Sequence, residues 1–421
     1  LPTMIAFTMS GMYSVVDGLF VGKAAGDTGL AAINIAWPIP AVITALGIGI
    51  GTGGSVLYSN MMGKGDGDGC RRMFNTTVSF LVLAGILLSV LLFAVRDPLL
   101  RIFGAEGDVM EQAQQYTGII IAGGVLQVCG TGITPLLRNM NLSFAAMISM
   151  VTGFAVNIAV NYYLMFPLGM GIRGAAFGTV TAQLVVLAIS VLVLARAYRE
   201  KVRPALERRL AAGICRSGIT AFGVSLAPTV ALIFTNWQCL RYGGNAAVAC
   251  YAVISYIVFP VQYLLTGIGD GVQPLLSYYN GAGRPVELGQ VKRIARIGAG
   301  VLGAVTMAAV LICTPYIARW FGLSNEAAVF FGTGMRISAL AFLVTGFAKF
   351  NLSYLNAVLR ARLAVILTFA ESLVVSPVYL FLLPAFTGMT GIWISLPATA
   401  VTMLVIYGMI SRKEMSYEKK G

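Results

Sequence analysis

Apolar segments long enough to cross a lipid bilayer fill almost the whole chain. A transmembrane helix needs about 20 consecutive, mostly apolar residues, and the 421 residues contain twelve such segments with short loops between them. Hydrophobic residues make up 58% of the chain and charged residues only 11%, whereas ~25% of a soluble domain is charged. The sequence therefore predicts an all-α membrane protein. Its twelve predicted spans are residues 1–22, 30–60, 73–95, 111–136, 143–167, 171–196, 213–240, 246–277, 291–314, 327–350, 361–384 and 389–411.

Basic residues are distributed unevenly among the loops. If the N-terminus is cytoplasmic, 22 of the 29 Lys and Arg residues fall on the cytoplasmic side. Cytoplasmic loops of membrane proteins are enriched in these residues. The sequence therefore predicts a multi-pass protein of the cell (plasma or inner) membrane with both termini in the cytoplasm. We interpret the net charge of +13 as a result of this topology and not as a sign of nucleic-acid binding.

Short motifs recur in the two halves of the chain at a constant distance. The members of three pairs are each 218 residues apart: Gly49-Ile-Gly and Gly267-Ile-Gly, Gly63-Lys-Gly and Gly281-Ala-Gly, and Arg101-Ile-Phe-Gly and Arg319-Trp-Phe-Gly. Six spans in each half give both halves the same orientation, which predicts two pseudo-symmetric six-helix bundles with a cavity between them. The predicted domains are an N-terminal bundle (1–198), a basic cytoplasmic linker (199–212) and a C-terminal bundle (213–421). This architecture is typical of secondary transporters.

Three acidic side chains lie well inside the predicted spans: Asp17, Asp270 and Glu371. An ionisable residue at membrane depth costs at least ~2.5 kcal/mol on insertion scales, so each is a candidate functional residue. The alternative for Asp17 is a place near a helix end where its carboxylate reaches water, and the other two could be structural hydrogen-bonding groups. Asn157 and Asn161 share one helical face because they are four residues apart. Further polar side chains in the spans are Thr179 and Asn236.

Several kinds of chemistry lack the residues that they need. The chain has no His, which is the commonest metal ligand and proton shuttle, and its six Cys residues show no metal-ligand spacing. No Gly-Lys-Ser/Thr loop for nucleotide phosphates is present. We therefore expect no catalytic site, no cofactor and no structural metal, and we disfavour both ATP-driven transport and a membrane-embedded enzyme.

Four stretches together resemble one known family. They are Tyr13-Ser-Val-Val-Asp-Gly-Leu-Phe-Val-Gly, Gly49-Ile-Gly-Thr-Gly with the later Gly63-Lys-Gly-Asp, Asn157-Ile-Ala-Val-Asn with Gly169-Met-Gly-Ile-Arg-Gly-Ala-Ala, and Gly267-Ile-Gly-Asp-Gly-Val-Gln-Pro. In order and spacing they are similar to the multidrug and toxic compound extrusion (MATE) family of the MOP superfamily, in particular its bacterial multidrug-export branch. The resemblance covers both halves of the chain.

The resemblance implies an antiporter that exports cationic amphipathic drugs in exchange for protons or sodium ions. In this family the N-terminal half carries the cation site, and Asp17 matches its first-helix carboxylate. The implied cation-coupling residues are Asp17, Asn157, Asn161 and Thr179, and a sodium ion could bind near Asp17. Asn161 departs from the pattern, because many members have Asp at this position. The tenth span also lacks the carboxylate that other branches use for sodium, which leaves Asp17 as the main coupling residue.

The expected substrate cavity has polar and aromatic walls. Its predicted lining residues are Tyr13, Asn236, Asp270, Tyr256, Gln273 and Glu371. The expected partners are small cationic molecules, H⁺ or Na⁺ and the lipid bilayer, and the protein is expected to be a monomer. The alternative function is a lipid-linked oligosaccharide flippase of the same superfamily. A flippase needs a strongly cationic central cavity for pyrophosphate, and most Lys and Arg residues of this chain lie in loops.

Overall fold

The structure is a computed structural model that describes residues 2–197, 204–320 and 325–418. These three ranges contain helices and short connections but no strand. The α-helices are α1 (Pro2–Ala36), α2 (Pro38–Gly63), α3 (Gly67–Ile102), α4 (Gly107–Ala122), α5 (Gly124–Asn139), α6 (Ser143–Met165), α7 (Ile172–Ala197), α8 (Arg208–Gly281), α9 (Pro285–Trp320), α10 (Asn325–Leu340), α11 (Phe342–Ala357), α12 (Ala361–Ala370), α13 (Ser376–Thr387) and α14 (Met389–Glu418). A π-helical turn (Glu371–Val375) joins α12 to α13.

The helices account for the twelve predicted spans. Among the described residues, nine helical segments are long and apolar enough to cross a membrane, and two bent helix pairs raise the number to eleven. The remaining helix, α1, has 35 residues, which exceeds the ~20 that a crossing needs. The long α8 supplies two crossings, Arg208–Gly244 and Val253–Gly281, because Gly244 has a non-helical backbone with φ 60° and ψ −158°.

The predicted boundary between the first two spans is wrong. The charges of Lys23 and Asp27 suggested a loop over 23–29, but α1 continues to Ala36 and only Trp37 separates it from α2. Helix α2 begins at Pro38, and proline is well suited to the first turn of a helix because it has no N–H to be satisfied there. The prolines, and not the charges, therefore set the boundary.

Two spans that the sequence predicts as continuous are bent. Helices α4 and α5 meet at 57° around Gly123, and α10 and α11 meet at 44° around Ala341. Gly123 lies directly against α7, because a Cβ at this position would overlap the side chain of Val180. The linker predicted at 199–212 is also shorter than expected, since α8 begins at Arg208; residues 198–203 lie outside the described part of the chain.

The π-helical turn interrupts the eleventh span next to a proline. Pro377 is the second residue of α13, and its ring removes one backbone donor from the helix. Such a gap in the ladder of backbone hydrogen bonds is one place where a helix widens locally into a π turn, and these turns occur frequently at functional sites. Glu371 is the first residue of the turn.

The chain forms two compact units. The first comprises Leu1–Leu226 with Gln273–Pro285, and the second Ala227–Val272 with Val286–Gly421. In the first unit, α2 packs closely on α5 because glycines face each other, and a Cβ at Gly51 would overlap the backbone of Gly132. Small residues of this kind let membrane helices approach closely. In the same unit α1, α6 and α7 pack against one another, and this three-helix contact contains the predicted cation site.

Candidate functional site

Asp17 and Asn161 are hydrogen-bonded to each other inside the first unit. Asn161 of α6 donates from Nδ2 to Oδ1 of Asp17 in α1 over 2.6 Å. Asp17 is 9% exposed and Asn161 is 1% exposed. The alternative place for Asp17, at a helix end in contact with water, is therefore wrong.

The amide of Asn161 also binds the next turn of its own helix. Its Nδ2 donates a second hydrogen bond to Oδ1 of Asn157 over 3.1 Å, so both amide hydrogens are used. Among the described residues, Oδ1 of Asn161 and Nδ2 of Asn157 have no hydrogen-bond partner, although both are buried. A buried polar atom without a partner is costly. Such atoms make this place receptive to a small polar species.

Helix α7 completes the cluster through Gly178 and Thr179. A Cβ at Gly178 would overlap Oδ1 of Asn161, so only glycine leaves room for this amide. The neighbouring Thr179 is also buried. The structure thus gathers the four predicted cation-coupling residues on three helices that pack together: Asp17, Asn157, Asn161 and Thr179.

An apolar layer lies one helical turn from the polar cluster. Val21 and Met165 follow Asp17 and Asn161 by four residues, and a step of four stays on the same helical face. Together with Ala175 of α7, these two buried residues form a separate hydrophobic cluster. Nearby, the rings of Phe20 and Phe166 meet edge to face with centroids 5.8 Å apart. The layer lies beside the carboxylate on the side towards the C-terminal ends of α1 and α6.

The cluster has the chemistry of a site for one monovalent cation. Its oxygen atoms come from one carboxylate and two amides, which are hard ligands. Asp17 forms no ion pair with any described residue, so no Lys or Arg side chain in this part of the chain neutralises it. Among the described residues there is also no group of three or more His, Cys, Asp or Glu side chains that could hold a tightly bound metal. A carboxylate flanked by amide oxygens is a donor set that a proton or a sodium ion can match.

The two predicted acidic site residues of the second unit, Asp270 and Glu371, have partners on α11. Oδ1 of Asp270 accepts a hydrogen bond from Oγ of Ser353 over 3.1 Å. Oε1 of Glu371 lies 3.5 Å from Nζ of Lys349, and these side chains are 22% and 13% exposed, respectively. Ser353 lies one turn after Lys349, so the two contacts occupy adjacent turns of α11.

The remaining predicted cavity residues are dispersed. Asn236 is half-buried in the first crossing of α8, Tyr256 is exposed in the second, and Gln273 is buried in the stretch of α8 that belongs to the first unit. Tyr13 lies in α1, but its side chain is outside the described part of the structure.

Two cationic side chains are shielded within helices and do not lie in exposed loops. Lys349 and Arg138 are among the 22 basic residues counted on the cytoplasmic side, yet the half-buried Lys349 pairs with Glu371 inside helical spans and Arg138 is buried near the end of α5. Lys349 follows a long apolar stretch and lies in the middle of α11, which continues to Ala357. A search for oppositely charged residues on adjacent predicted spans could have found its pair with Glu371.

Comparison with known proteins identifies the family. The sequence profile of the family described as MatE matches residues 2–163 and 221–382, so each half of the chain is matched separately. The multidrug export protein MepA of Staphylococcus haemolyticus (strain JCSC1435) is 24% identical over 423 residues, which cover 98% of this chain and 92% of the relative. The MepA protein of Staphylococcus aureus (strain NCTC 8325 / PS 47) is 23% identical over 418 residues, covering 97% and 92%.

Solved structures share the fold. The outward-facing conformation of a multidrug resistance MATE family transporter of the MOP superfamily superimposes with a TM-score of 0.92 at 22% identity, covering 100% of this chain and 95% of the other. A MOP superfamily transporter from Pyrococcus furiosus Vc1 (DSM3638), whose reverse polarity of binding pocket suggests a different function, gives a TM-score of 0.92 at 21% identity with the same coverage. The fold class predicted from the sequence, twelve helices in two bundles, is confirmed. Because the family profile covers most of both halves, this chain belongs to the multidrug and toxic compound extrusion family.

Proposed function

We propose that this multidrug transporter is a secondary active antiporter. It exports cationic amphipathic compounds in exchange for protons or sodium ions that move inward, and Asp17 is the residue that couples the two movements. The observation that carries this proposal is the buried carboxylate of Asp17, which is held by the amide of Asn161 and forms no ion pair with a described residue. A buried, uncompensated charge is expensive. Binding of a cation from solution removes that cost.

The amides orient Asp17 without neutralising it. Asn161 donates to one carboxylate oxygen and is itself held in place by Asn157 and by the close approach of Gly178. Amide groups offer hydrogen bonds but no formal charge. The cluster therefore keeps a net charge of about −1 in the absence of an ion and becomes neutral when one monovalent cation is bound.

Exchange follows from competition for this single charge. A proton, a sodium ion or a cationic substrate can each neutralise Asp17, but two of them together leave excess positive charge in an apolar setting. Coupling further requires that the two access states of the transporter bind the ion and the substrate with different affinities. The apolar layer of Val21, Met165 and Ala175 restricts ion access from one side of the cluster, which supports such a difference.

The other expectations from the sequence are part of this proposal. We place both termini in the cytoplasm, the protein in the cell membrane as a monomer, and the connection between α7 and α8 on the cytoplasmic side. No step of the proposed cycle involves a catalytic group. The proposed lining of the substrate path consists of Tyr13, Asn236, Asp270, Tyr256, Gln273 and Glu371.

Transport in proteoliposomes tests the proposal. The full-length protein is reconstituted, a proton gradient or a sodium gradient is imposed separately, and movement of a fluorescent cationic dye is followed. One of the two gradients is expected to drive dye transport by the wild type. Asp17→Asn, which keeps the size of the side chain but removes its charge, is expected to abolish the gradient-driven component. Asp108→Asn is the matched control, because Asp108 is exposed in the first turn of α4.

Two results contradict the proposal. Full gradient-driven transport by Asp17→Asn removes Asp17 from the coupling mechanism. Transfer of a lipid-linked oligosaccharide without response to either gradient supports the flippase function instead. Equal loss of transport in Asp17→Asn and Asp108→Asn shows that the substitutions damage the protein in a way unrelated to ion coupling.

A further inference from the structure

A partly enclosed cavity lies inside the second unit, and neither Asp270 nor Glu371 lines it. It holds about 70 Å³ and is lined by residues of α8, α10, α13 and α14. Five of the lining side chains are hydroxyl residues: Thr235, Ser255, Ser338, Ser376 and Ser395. Aromatic side chains form part of the remaining wall: Tyr251, Phe259 and Trp393.

The described residues that line this cavity include no Asp, Glu, Lys or Arg side chain. Moving an isolated charge into such a place is strongly unfavourable, because no counter-charge compensates for lost hydration. A neutral molecule avoids this cost. The cavity therefore selects against the cations that Asp17 attracts.

Two hydroxyl groups of the wall, those of Thr235 and Ser395, present hydrogen-bond acceptors to the cavity. Thr235 donates its hydrogen to the carbonyl of Ala231 over 2.7 Å, and Ser395 donates to the carbonyl of Ile392 over 2.6 Å. A hydroxyl has a single hydrogen and two lone pairs. Once the hydrogen is engaged with the backbone, the oxygen can only accept, so these two groups favour a ligand that brings a hydrogen-bond donor.

Ser255 provides the strongest indication of a missing partner. Its side chain is 5% exposed, and its Oγ forms no well-aligned hydrogen bond with any described residue, its contact being with the hydroxyl of Tyr251. Buried hydroxyls are normally satisfied. A group inserted beside Ser255 and Tyr251 would satisfy it.

The repeat relates this cavity to the Asp17 site. Thr235 lies 218 residues after Asp17, which is the distance that separates the three repeated motifs of the two halves. The second half thus has a neutral hydroxyl at the position where the first half has a carboxylate. The two halves share an architecture but differ in charge at equivalent positions.

We propose that this cavity is a second ligand site, which binds an uncharged aromatic compound carrying a hydrogen-bond donor, such as a phenol or an aniline. The donor end enters between Ser255 and Thr235, and the ring packs against Trp393 and Phe259. Because 70 Å³ accommodates the donor end of a ring and not a whole drug, the rest of a larger ligand extends through the open side. Binding here is independent of the ion at Asp17.

Fluorine NMR of the purified full-length protein tests this proposal. The probe is 4-fluorophenol, and its matched control is 4-fluoroanisole, which has a similar ring but no donor. Saturable binding of the phenol is expected, displaced by unlabelled phenol and tighter than that of the anisole by about fivefold, the effect of one neutral hydrogen bond. Asp17→Asn is expected to bind both probes as the wild type does. The result is therefore separable from failure of the antiport proposal.

Substitutions at Ser255 locate the site. Ser255→Leu fills the cavity and is expected to abolish saturable binding. Ser255→Ala keeps the space but removes the hydroxyl, so this variant is expected to bind 4-fluorophenol and 4-fluoroanisole with nearly equal affinity. If Ser255→Leu does not fold, Ser255→Ala alone provides the test. The proposal is overturned if the wild type shows no saturable binding, if it binds the anisole equally well, or if a folded Ser255→Leu protein binds the phenol normally.

Discussion

The amide of Asn161 and the carboxylate of Asp17 are joined by a 2.6 Å hydrogen bond between residues that are 144 positions apart. The family resemblance described above implies that many members have Asp at the position of Asn161. An amide at this position supplies a donor that orients Asp17, whereas a second carboxylate would repel it. We therefore expect Asn161 to determine both the geometry and the charge of the site.

Gly178 is predicted to be essential for this geometry. In Gly178→Ala the added Cβ overlaps Oδ1 of Asn161, so the amide has to move and its bond to Asp17 weakens. Gradient-driven export is expected to fall by about tenfold or more, the effect of losing a charge-assisted hydrogen bond worth ~1.5 kcal/mol. The initial rate of dye transport in proteoliposomes measures this change.

Gly298→Ala is the matched control for that substitution. Gly298 lies in α9, and a Cβ at this position meets no atom within 4 Å. Replacing a helical glycine by alanine in open space is expected to stabilise the protein by ~0.5–1 kcal/mol and to leave export unchanged. Normal export by Gly178→Ala would show that coupling does not depend on the position of Asn161.

Asn161→Asp is predicted to change the number of ions that move with each substrate. The variant has two carboxylates in one site, and their mutual repulsion is relieved only when more than one cation is bound. The ion-to-substrate ratio, measured from the membrane potential at which net transport reverses, is expected to rise above that of the wild type. An unchanged ratio in an active variant would show that residues 17 and 161 do not share an ion.

The helical architecture and the Asp17 cluster could be predicted from the sequence because both depend on simple local patterns. Apolar runs of about 20 residues have few alternatives to membrane helices. A lone carboxylate in such a run needs polar neighbours, and the four-residue spacing of Asn157 and Asn161 places two amides on one helical face. The resemblance to a family then indicated that this face meets Asp17.

Other features depend on contacts between distant residues, which periodicity does not encode. At one of the two bends, Gly123 lies against Val180 of α7. The cavity beside Ser255 is lined by residues of four helices, and its hydroxyl residues do not stand out among the many Ser and Thr residues of the spans. Charge near a predicted span end does not mark a loop here, since Lys23 lies within α1 and Lys349 forms an internal ion pair.

The cytoplasmic position of the C-terminus is a prediction that labelling can check. In a variant without native cysteines, Ser416→Cys is expected to resist a membrane-impermeant maleimide in intact cells and to react after permeabilisation. Glu106→Cys is the matched external position, because Glu106 is exposed between α3 and α4, on the opposite side in the predicted topology. External labelling of Ser416→Cys would reverse the orientation inferred from the basic residues.

The ion pair between Lys349 and Glu371 is predicted to stabilise the second unit because each charge neutralises the other. Both side chains are largely shielded, so removing one partner leaves the other charge poorly solvated. Lys349→Met and Glu371→Gln are each expected to lower the free energy of unfolding by about 2 kcal/mol, while the double variant recovers most of this loss. Unfolding midpoints of the detergent-solubilised protein provide the double-mutant cycle.

The pair of Arg71 and Asp68 provides the reference for that cycle. It has an N–O distance of 3.6 Å, close to the 3.5 Å of the internal pair, but its side chains are 52% and 86% exposed. Exposed ion pairs contribute ~0–1 kcal/mol, so Arg71→Met and Asp68→Asn are expected to show little coupling. Equal coupling in the two cycles would mean that burial does not strengthen the Lys349–Glu371 interaction. The double variant of Lys349 and Glu371 can also be tested for export. If it regains stability but not export, the two charges act in transport itself and not only in stabilising the fold.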